Sequence, residues 1–87
     1  MSNEAATWIR LAAVVVQVSD KVRDARDVRP ESKLMEDLGL SSLMAVNLVL
    51  DLEREFGIII REQDFDHIHT VGDLKHMIDL RQAGTAP

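Results

Sequence analysis

With 87 residues, the chain can form one small domain with a thin core and leaves no room for a second domain. Fifteen acidic and ten basic side chains give a formal net charge of −5, which disfavours binding to nucleic acid or to an anionic membrane surface. The absence of cysteine excludes disulfides and thiolate chemistry within the chain.

A first helix is predicted from residue 5 to about residue 22, because Trp8, Leu11 and Val15 recur at helical spacing. The consecutive valines at 14–16 favour a strand, but no second strand is predicted that could pair with them. The apolar run is too short to span a bilayer, and the N-terminus lacks the basic stretch of a signal peptide. We therefore expect a cytoplasmic protein with no membrane insertion.

Residues 21–41 are charged and irregular, with Pro30 setting a turn and Gly39 a second break. An irregular stretch of this length in a small domain is often functional or held in place by its own apolar residues. The residues predicted to hold it are Val28, Leu34, Met35, Leu38 and Leu40.

The clearest predicted helix covers Ser42–Phe56. Ser41 precedes it, and its hydroxyl can accept a hydrogen bond from an N–H group of the first turn. Gly57 follows it, at the position where a left-handed backbone is usual. The predicted apolar face of this helix consists of Val46, Val49, Leu52 and Phe56, with Ala45 and Leu48 beside them.

After this helix, the isoleucines at 58–60 are predicted to form a short apolar connector. Two placements of Ile59 are open: the core, which is favoured, or an exposed apolar contact. Residues 61–68 are predicted to hold one or two helical turns. The segment Thr70–Asp73 has the spacing of a capping box, which predicts a last helix from residue 71 onward. Residues 81–87 are predicted to fray.

These elements predict an all-α fold over a single domain, residues 1–87. The expected architecture is a small up-down four-helix bundle with a short third helix and a long loop between helices 1 and 2. Only three residues are aromatic, so the core is predicted to be mainly aliphatic. The core candidates are Trp8, Leu11, Val15, Val46, Val49, Leu52, Phe56, Ile60, Ile68, Leu74 and Ile78, with Leu80 as a further candidate.

Ser42 lies in the predicted first turn of a helix, where free N–H groups and the helix dipole favour a phosphate. A serine at this point can carry a phosphodiester. Alternatively, Ser41 and Ser42 simply cap the helix, which physical reasoning alone favours because serine is a preferred capping residue. The residues by themselves leave both interpretations open.

Three linked segments between about residues 34 and 80 carry motifs. The segment Asp37–Leu43 reads D-L-G-L-S-S-L, Leu48–Ile58 ends in E-R-E-F-G-I, and Ile68–Leu74 reads I-H-T-V-G-D-L. In their order and spacing they resemble the acyl carrier protein family, with its D-L-G-x-D-S-L motif, its E-x-E-F helix end and its I-x-T-V-G-D-L helix entry.

The resemblance implies that Ser42 is the attachment serine for 4′-phosphopantetheine, which a phosphopantetheinyl transferase moves from coenzyme A. It implies a carrier without catalytic residues, because the reactive atom belongs to the cofactor. The arm would hold acyl groups as thioesters and present them to acyl-loading enzymes, ketosynthases or other acyl-processing enzymes. A monomer is expected.

Ser41 stands where the family usually has an aspartate. Capping is retained, because both residue types cap well, but a charge that modifying enzymes meet is lost. The register relative to Gly39 and Leu43 favours Ser42 over Ser41 as the attachment point.

The exposed face of the second helix is less acidic than is usual in fatty-acid carriers. Met44, Asn47, Leu50 and Arg54 stand where acids are common, while Asp51 remains. Two interpretations are open: ordinary surface variation, or docking through a more apolar contact to enzymes of a polyketide or other specialised pathway. The candidate docking residues are Leu43, Met44, Leu50 and Asp51.

Other functions are weaker. A metal site built from three histidines and two aspartates (His67, His69, His76, Asp66 and Asp73) would need converging ligands, and solvated histidines are the favoured interpretation. A serine hydrolase is disfavoured because the second glycine of G-x-S-x-G is missing. The remaining alternatives are a peptidyl or D-alanyl carrier and a carrier-fold interaction domain that is never modified.

Overall fold

The computed structural model describes the backbone of residues 4–84 and the side chains of residues 5–82. Its helices are α1 (Glu4–Val18), α2 (Ser42–Phe56), α3 (Glu62–Phe65) and α4 (Val71–Gly84), with a single 3-10 turn at Ala25–Asp27. Within the described residues there is no strand, only one antiparallel bridge between Lys33 and Thr70. The all-α prediction, with a short third helix and a long loop before α2, is confirmed.

The core forms where α1 packs against α2 and α4, and the long loop and the α2–α3 connector close it. It is aliphatic apart from Phe56, as the composition predicts. Eight of the predicted core residues are buried: Leu11, Val15, Leu52, Phe56, Ile60, Ile68, Leu74 and Ile78. Trp8 and Val49 are half-buried at its edge.

The core prediction was wrong at Val46 and Leu80, which are exposed. Ile59 is exposed too, so its favoured core placement was wrong and the alternative, an exposed apolar position, is confirmed. The buried residues of α2 are Leu48, Leu52 and Phe56, and Val46 falls on a different side of a helix with 3.6 residues per turn. In the connector, Ile58 and Ile60 are buried; successive side chains of an extended segment point in opposite directions, so Ile59 faces outward.

α1 ends at Val18, four residues before the predicted end near Val22. The Ser19 hydroxyl explains the difference. It donates to the Leu38 carbonyl (2.7 Å) and accepts from the N–H groups of Lys21 (3.1 Å) and Val22 (3.0 Å). These bonds offer the backbone an alternative to another helical turn.

The long loop is held in place by buried side chains and by backbone bonds to the start of α4. Val28, Leu34, Leu38 and Leu40 are buried as predicted, whereas Met35 is exposed, contrary to prediction. The N–H of Leu34 donates to the His69 carbonyl (3.0 Å), and the Val71 N–H donates to the Ser32 carbonyl (3.0 Å). The loop is therefore an ordered part of the fold.

The C-terminal part of α4 is longer than predicted. The helix continues through Gly84, so residues 81–84 are helical where the sequence predicts fraying, and residues 85–87 lie outside the described residues. Across the described chain, none of the helices combines the length and the apolar character needed to cross a membrane.

Candidate functional site

The start of α2 places two serines side by side with different roles. Ser41 has an extended backbone, and its Oγ accepts from the Met44 N–H at 3.3 Å, which confirms the predicted cap. Ser42 is the first helical residue and is exposed. Among the described residues its hydroxyl makes no hydrogen bond, so it is available for modification.

The motif before α2 sets the direction in which the chain enters the helix. The Asp37 carboxylate accepts from the Lys33 N–H (2.7 Å) and closes a turn. Leu38 and Leu40 are buried on either side of Gly39, whose φ of +69° only glycine adopts readily. The D-L-G part of the motif therefore fixes the backbone from which the two serines project.

The N-terminus of α2 is suited to an anion. Its first turn contains no acidic residue, and within the described chain the N–H groups of Ser42 and Leu43 have no hydrogen-bond acceptor. Unpaired N–H groups and the helix dipole favour a negative group at this end. A phosphodiester on the Ser42 oxygen would lie in this field.

An open apolar cleft of about 900 Å³ begins beside Ser41 and Ser42. One wall is α2, and the facing wall comes from the loop after Lys33 and from the α3 region. Its apolar lining consists of Leu34, Met35, Leu40, Ala45, Val46, Val49, Leu50, Ile60, Phe65 and Ile68. The polar residues Lys33, Glu36, Arg61, Glu62, His69 and Thr70 also line it. The cleft is large enough for part of an extended organic chain.

The α3 wall of the cleft is tied to both neighbouring helices. The Glu53 carboxylate of α2 accepts from the Ile60 N–H at 2.9 Å. Asp64 accepts from the Arg61 N–H at 3.0 Å and pairs with Arg81 of α4. These bonds position a helix that is too short to persist alone.

The histidine region forms a helix start. In the part of the chain that the structure describes, there is no group of three or more His, Cys, Asp or Glu side chains that could hold a metal ion. The Asp73 carboxylate instead accepts from the backbone of His69 (2.9 Å) and Thr70 (3.1 Å). The His69 bond is the main reason that the pKa of Asp73 lies below its usual value.

Comparison with known proteins decides the family. Residues 10–78 match the family model described as "Phosphopantetheine attachment site". The chain belongs to the acyl carrier protein family. Members of this family are carriers rather than catalysts, and their cofactor is a covalently attached 4′-phosphopantetheine. The exposed Ser42 hydroxyl, the acid-free helix start and the adjoining apolar cleft fit that group.

Individual relatives agree with the family assignment. The chain is 43% identical over 71 residues to "Acyl carrier protein" of Helicobacter hepaticus, covering 82% of this chain and 90% of the relative. It is 43% identical over 65 residues to "Acyl carrier protein" of Thermotoga maritima, covering 74% and 80%. It is 48% identical over 59 residues to "Putative acyl carrier protein, mitochondrial" of Schizosaccharomyces pombe, covering 68% of this chain and 53% of that relative.

The structure brings together some of the predicted site residues and adds others. Ser42, Leu43 and Leu50 are exposed along α2, while Met44 and Asp51 are half-buried. Sequence reasoning missed the cleft, and it missed Val46 as a surface residue. The sequence does contain a signal that some apolar residues of this segment are exposed. Ser42–Leu50 has no charged residue, so it has more apolar positions than one buried helix face needs.

Proposed function

We propose that the Ser42 hydroxyl is the attachment point of 4′-phosphopantetheine and that a phosphopantetheinyl transferase supplies the group from coenzyme A. The observation that carries this proposal is the contrast between the adjacent serines. Ser41 is engaged as the helix cap, whereas Ser42 is exposed with an unbonded hydroxyl at an acid-free helix start. The register of the D-L-G motif supports the same residue.

The chain acts as a carrier of acyl groups. The thiol of the arm supplies the thioester chemistry, and the chain itself contributes no catalytic residue to it. The N–H groups of Ser42 and Leu43 stabilise the phosphodiester, and the cleft beside them offers an apolar surface to the arm and its cargo.

We propose Leu43, Met44, Leu50 and Asp51 as docking residues for the enzymes that act on the arm. They lie on the same helix as Ser42, within two to three turns of it. The expected partners are acyl-loading enzymes, ketosynthases and other acyl-processing enzymes of a fatty-acid or a discrete polyketide pathway. We propose that the chain meets them as a monomer with a single domain.

For the location, we propose the cytoplasm, where coenzyme A and such enzymes are available. The name of the Schizosaccharomyces pombe relative makes the mitochondrion the alternative compartment. Cell fractionation with an antibody to the native chain separates the two.

Intact-mass analysis tests the attachment site. The apo chain is incubated with coenzyme A and a broad-specificity phosphopantetheinyl transferase. We expect a mass gain of one phosphopantetheinyl group for the wild type and for Ser41→Ala, and no gain for Ser42→Ala. A gain in Ser42→Ala that is absent in Ser41→Ala would move the site to Ser41. No gain with several transferases would favour the unmodified interaction domain.

The type of cargo is tested on the modified chain. Loading with acyl, aminoacyl and D-alanyl donors, each with its own loading enzyme, is compared by mass. We expect acyl transfer, whereas exclusive loading of an amino acid would assign the chain to the peptidyl or D-alanyl carriers.

A further inference from the structure

Helix α3 forms part of one wall of the apolar cleft but has little packing of its own. It consists of the four residues Glu62–Phe65, and a helix of this length does not persist alone. Whereas α1 packs against α2 and α4, α3 has no comparable helix partner among the described residues. Ile60 and Ile68 are buried on either side of it, and Phe65 is half-buried. The position of the four residues between these anchors therefore depends on bonds made by polar side chains.

Asp64 joins α3 to α4. Its carboxylate accepts from the Arg61 N–H (3.0 Å) and pairs with the Arg81 guanidinium of α4. The side chains of Arg81 and Asp64 are 35% and 21% exposed, so solvent screens this pair less than a fully exposed one. We call the Arg81–Asp64 ion pair the α3–α4 latch. The other ion pairs of the described residues do not reach α3.

Arg81 lies in the part of α4 that the sequence predicts to fray, whereas the helix continues through Gly84. A cation in the last turn suits the negative end of the helix dipole, so Arg81 stabilises its own helix. That role needs no carboxylate on another element. The guanidinium is nevertheless paired with Asp64, seventeen residues away in the sequence. The ordered end of α4 therefore connects the cleft wall to the rest of the bundle.

The wall held by the latch faces the space that an acyl chain could fill. Glu62 and Phe65 of α3 line the cleft, as do the flanking Ile60 and Ile68. If α3 moved away, this lining and any apolar chain that lies against it would meet water, which is unfavourable. We propose that the α3–α4 latch holds this wall against acyl cargo in the cleft, and that Arg81 is a positioning residue that determines how well the cargo is shielded from water. The inference rests on the proposed function and extends it to α4, a helix that does not carry the proposed attachment serine.

Amide hydrogen exchange of the apo chain tests the latch by itself. The Asp64 N–H donates to the Arg61 carbonyl (3.0 Å), and the Ile68 N–H donates to the Phe65 carbonyl (3.1 Å). In Arg81→Gln these two amides are expected to exchange about three- to fivefold faster, as expected for the loss of one partly exposed ion pair. Amides in the middle of α2 are expected to keep their wild-type rates.

Lys75→Gln is the matched control. Lys75 lies on the same helix and pairs with Asp79 at 2.7 Å within α4, so the variant loses one ion pair and one positive charge without touching α3. It is expected to leave the exchange of the α3 amides unchanged. Asp64→Asn separates the latch from the helix dipole, because Arg81 remains at the end of α4 while the ion pair is lost. It should loosen α3 about as much as Arg81→Gln, and the double variant should add little to either single change.

Cleavage of the loaded thioester tests the cargo role. The modified chain carries an acetyl or an octanoyl group and is treated with hydroxylamine. The hydroxylamine nitrogen bonds to the carbonyl carbon, the C–S bond breaks, the thiol takes the proton, and an acyl hydroxamate is released; intact mass follows the loss. The octanoyl group should be cleaved more slowly than the acetyl group in the wild type, because its chain lies in the cleft. Arg81→Gln is expected to speed octanoyl cleavage about three- to fivefold and to change acetyl cleavage less than about twofold. Arg81→Lys, which keeps the cation, should retain most of the shielding.

Three results would overturn the inference. The first is wild-type exchange of the α3 amides in both Arg81→Gln and Asp64→Asn, with circular dichroism showing that both are folded. The second is an unchanged octanoyl cleavage rate in Arg81→Gln. The third is an equal rise in cleavage for the acetyl group or in Lys75→Gln. If the wild-type chain never accepts the arm, the proposed function fails, and the inference fails with it. A chain that accepts the arm but gives one of the three results defeats the inference alone.

Discussion

The helices α2 and α4 both begin with a side-chain hydroxyl that caps the first turn, but only α4 adds a carboxylate to its cap. At α4, Thr70 Oγ1 accepts from the Asp73 N–H (3.1 Å), and the Asp73 carboxylate accepts from the Thr70 N–H (3.1 Å) and the His69 N–H (2.9 Å). At α2, Ser41 Oγ accepts from the Met44 N–H (3.3 Å), and no acid follows in the first turn.

The difference distinguishes a helix start that neutralises its own positive end from the helix start at which we propose that the arm is attached. The α4 start has its own anion, which neutralises the positive end of the helix and leaves little for a ligand. The α2 start keeps that end unneutralised beside an exposed serine. Under the proposal for Ser42, a phosphodiester would meet this positive end without competition from position 41, which is a serine where the family usually has an aspartate.

The largest effect is expected from removing the acid at α4. Asp73→Ala should lower the free energy of unfolding by about 2 kcal/mol, at the upper end of capping effects, because two N–H groups lose their acceptor. Ser41→Ala should cost only about 0.5–1 kcal/mol, since a single long bond is lost. Urea denaturation of the apo chain measures both.

Asp79→Ala is the matched control for Asp73→Ala. Asp79 lies on the same helix, and its carboxylate pairs with Lys75 at 2.7 Å, one turn away. Loss of such a surface pair should cost about 0.5 kcal/mol or less. If Ser41→Ala destabilises the chain as much as Asp73→Ala, the contrast between the two helix starts is wrong.

Gly39→Ala tests the loop that leads into the α2 start. The residue has a φ of +69°, and a Cβ there would lie 3.0 Å from the aliphatic stem of Lys21. We expect a loss of about 1–2 kcal/mol. We also expect slower phosphopantetheine transfer, because the backbone that presents Ser42 shifts.

Gly57→Ala is the control for this prediction. Its φ is +64°, but a Cβ there would meet nothing within 4 Å, and it lies at the opposite end of α2. It should cost about 1 kcal/mol in stability and leave the transfer rate unchanged. Equal transfer rates for the two variants would mean that Gly39 serves stability alone.

Attachment of the arm should itself stabilise the α2 start. The phosphodiester at Ser42 is expected to raise the free energy of unfolding by about 0.5–1 kcal/mol at low ionic strength, and less at high salt. Comparison of the apo and modified chains by urea denaturation measures this. In Ser41→Asp the gain should shrink, because two negative groups then share one helix end. A modified chain that is no more stable than the apo chain would contradict an anion-binding role for this end.

The bounds of α2 were predictable because its signals are local. Ser41 and Gly57 mark its ends through their own hydrogen-bonding and backbone preferences, and the structure has the helix between them. The capping box at Thr70 and Asp73 was predictable for the same reason. The end of α1 was not, because Ser19 interrupts it through a bond to Leu38, nineteen residues away.

The burial of individual α2 residues depends on packing that periodicity alone does not specify. The helix has apolar residues around much of its circumference, so a face containing Val46 and one containing Leu48 both fit the pattern. Which one is buried depends on where α1 lies. The cleft beside Ser42 is formed by α2, α3 and the long loop together, so no local motif predicts it. The motif predicts which serine carries the arm, and the tertiary structure describes the surroundings of that serine.

The smallest effect expected is a difference in acid sensitivity between the two helix starts. The His69 N–H bond, followed by bonds from Thr70, holds the pKa of Asp73 below its usual value of about 4. A group whose pKa is lower in the folded state stabilises that state above its unfolded pKa, and this contribution is lost as the pH falls through the folded pKa. The α4 start should therefore lose stability below about pH 4, while the uncharged Ser41 cap does not titrate.

Amide hydrogen exchange measured against pH should show that the His69 and Thr70 amides of the wild type lose protection relative to the Met44 amide. In Asp73→Asn this pH dependence should disappear, and if it persists, another carboxyl group controls the acid response of α4.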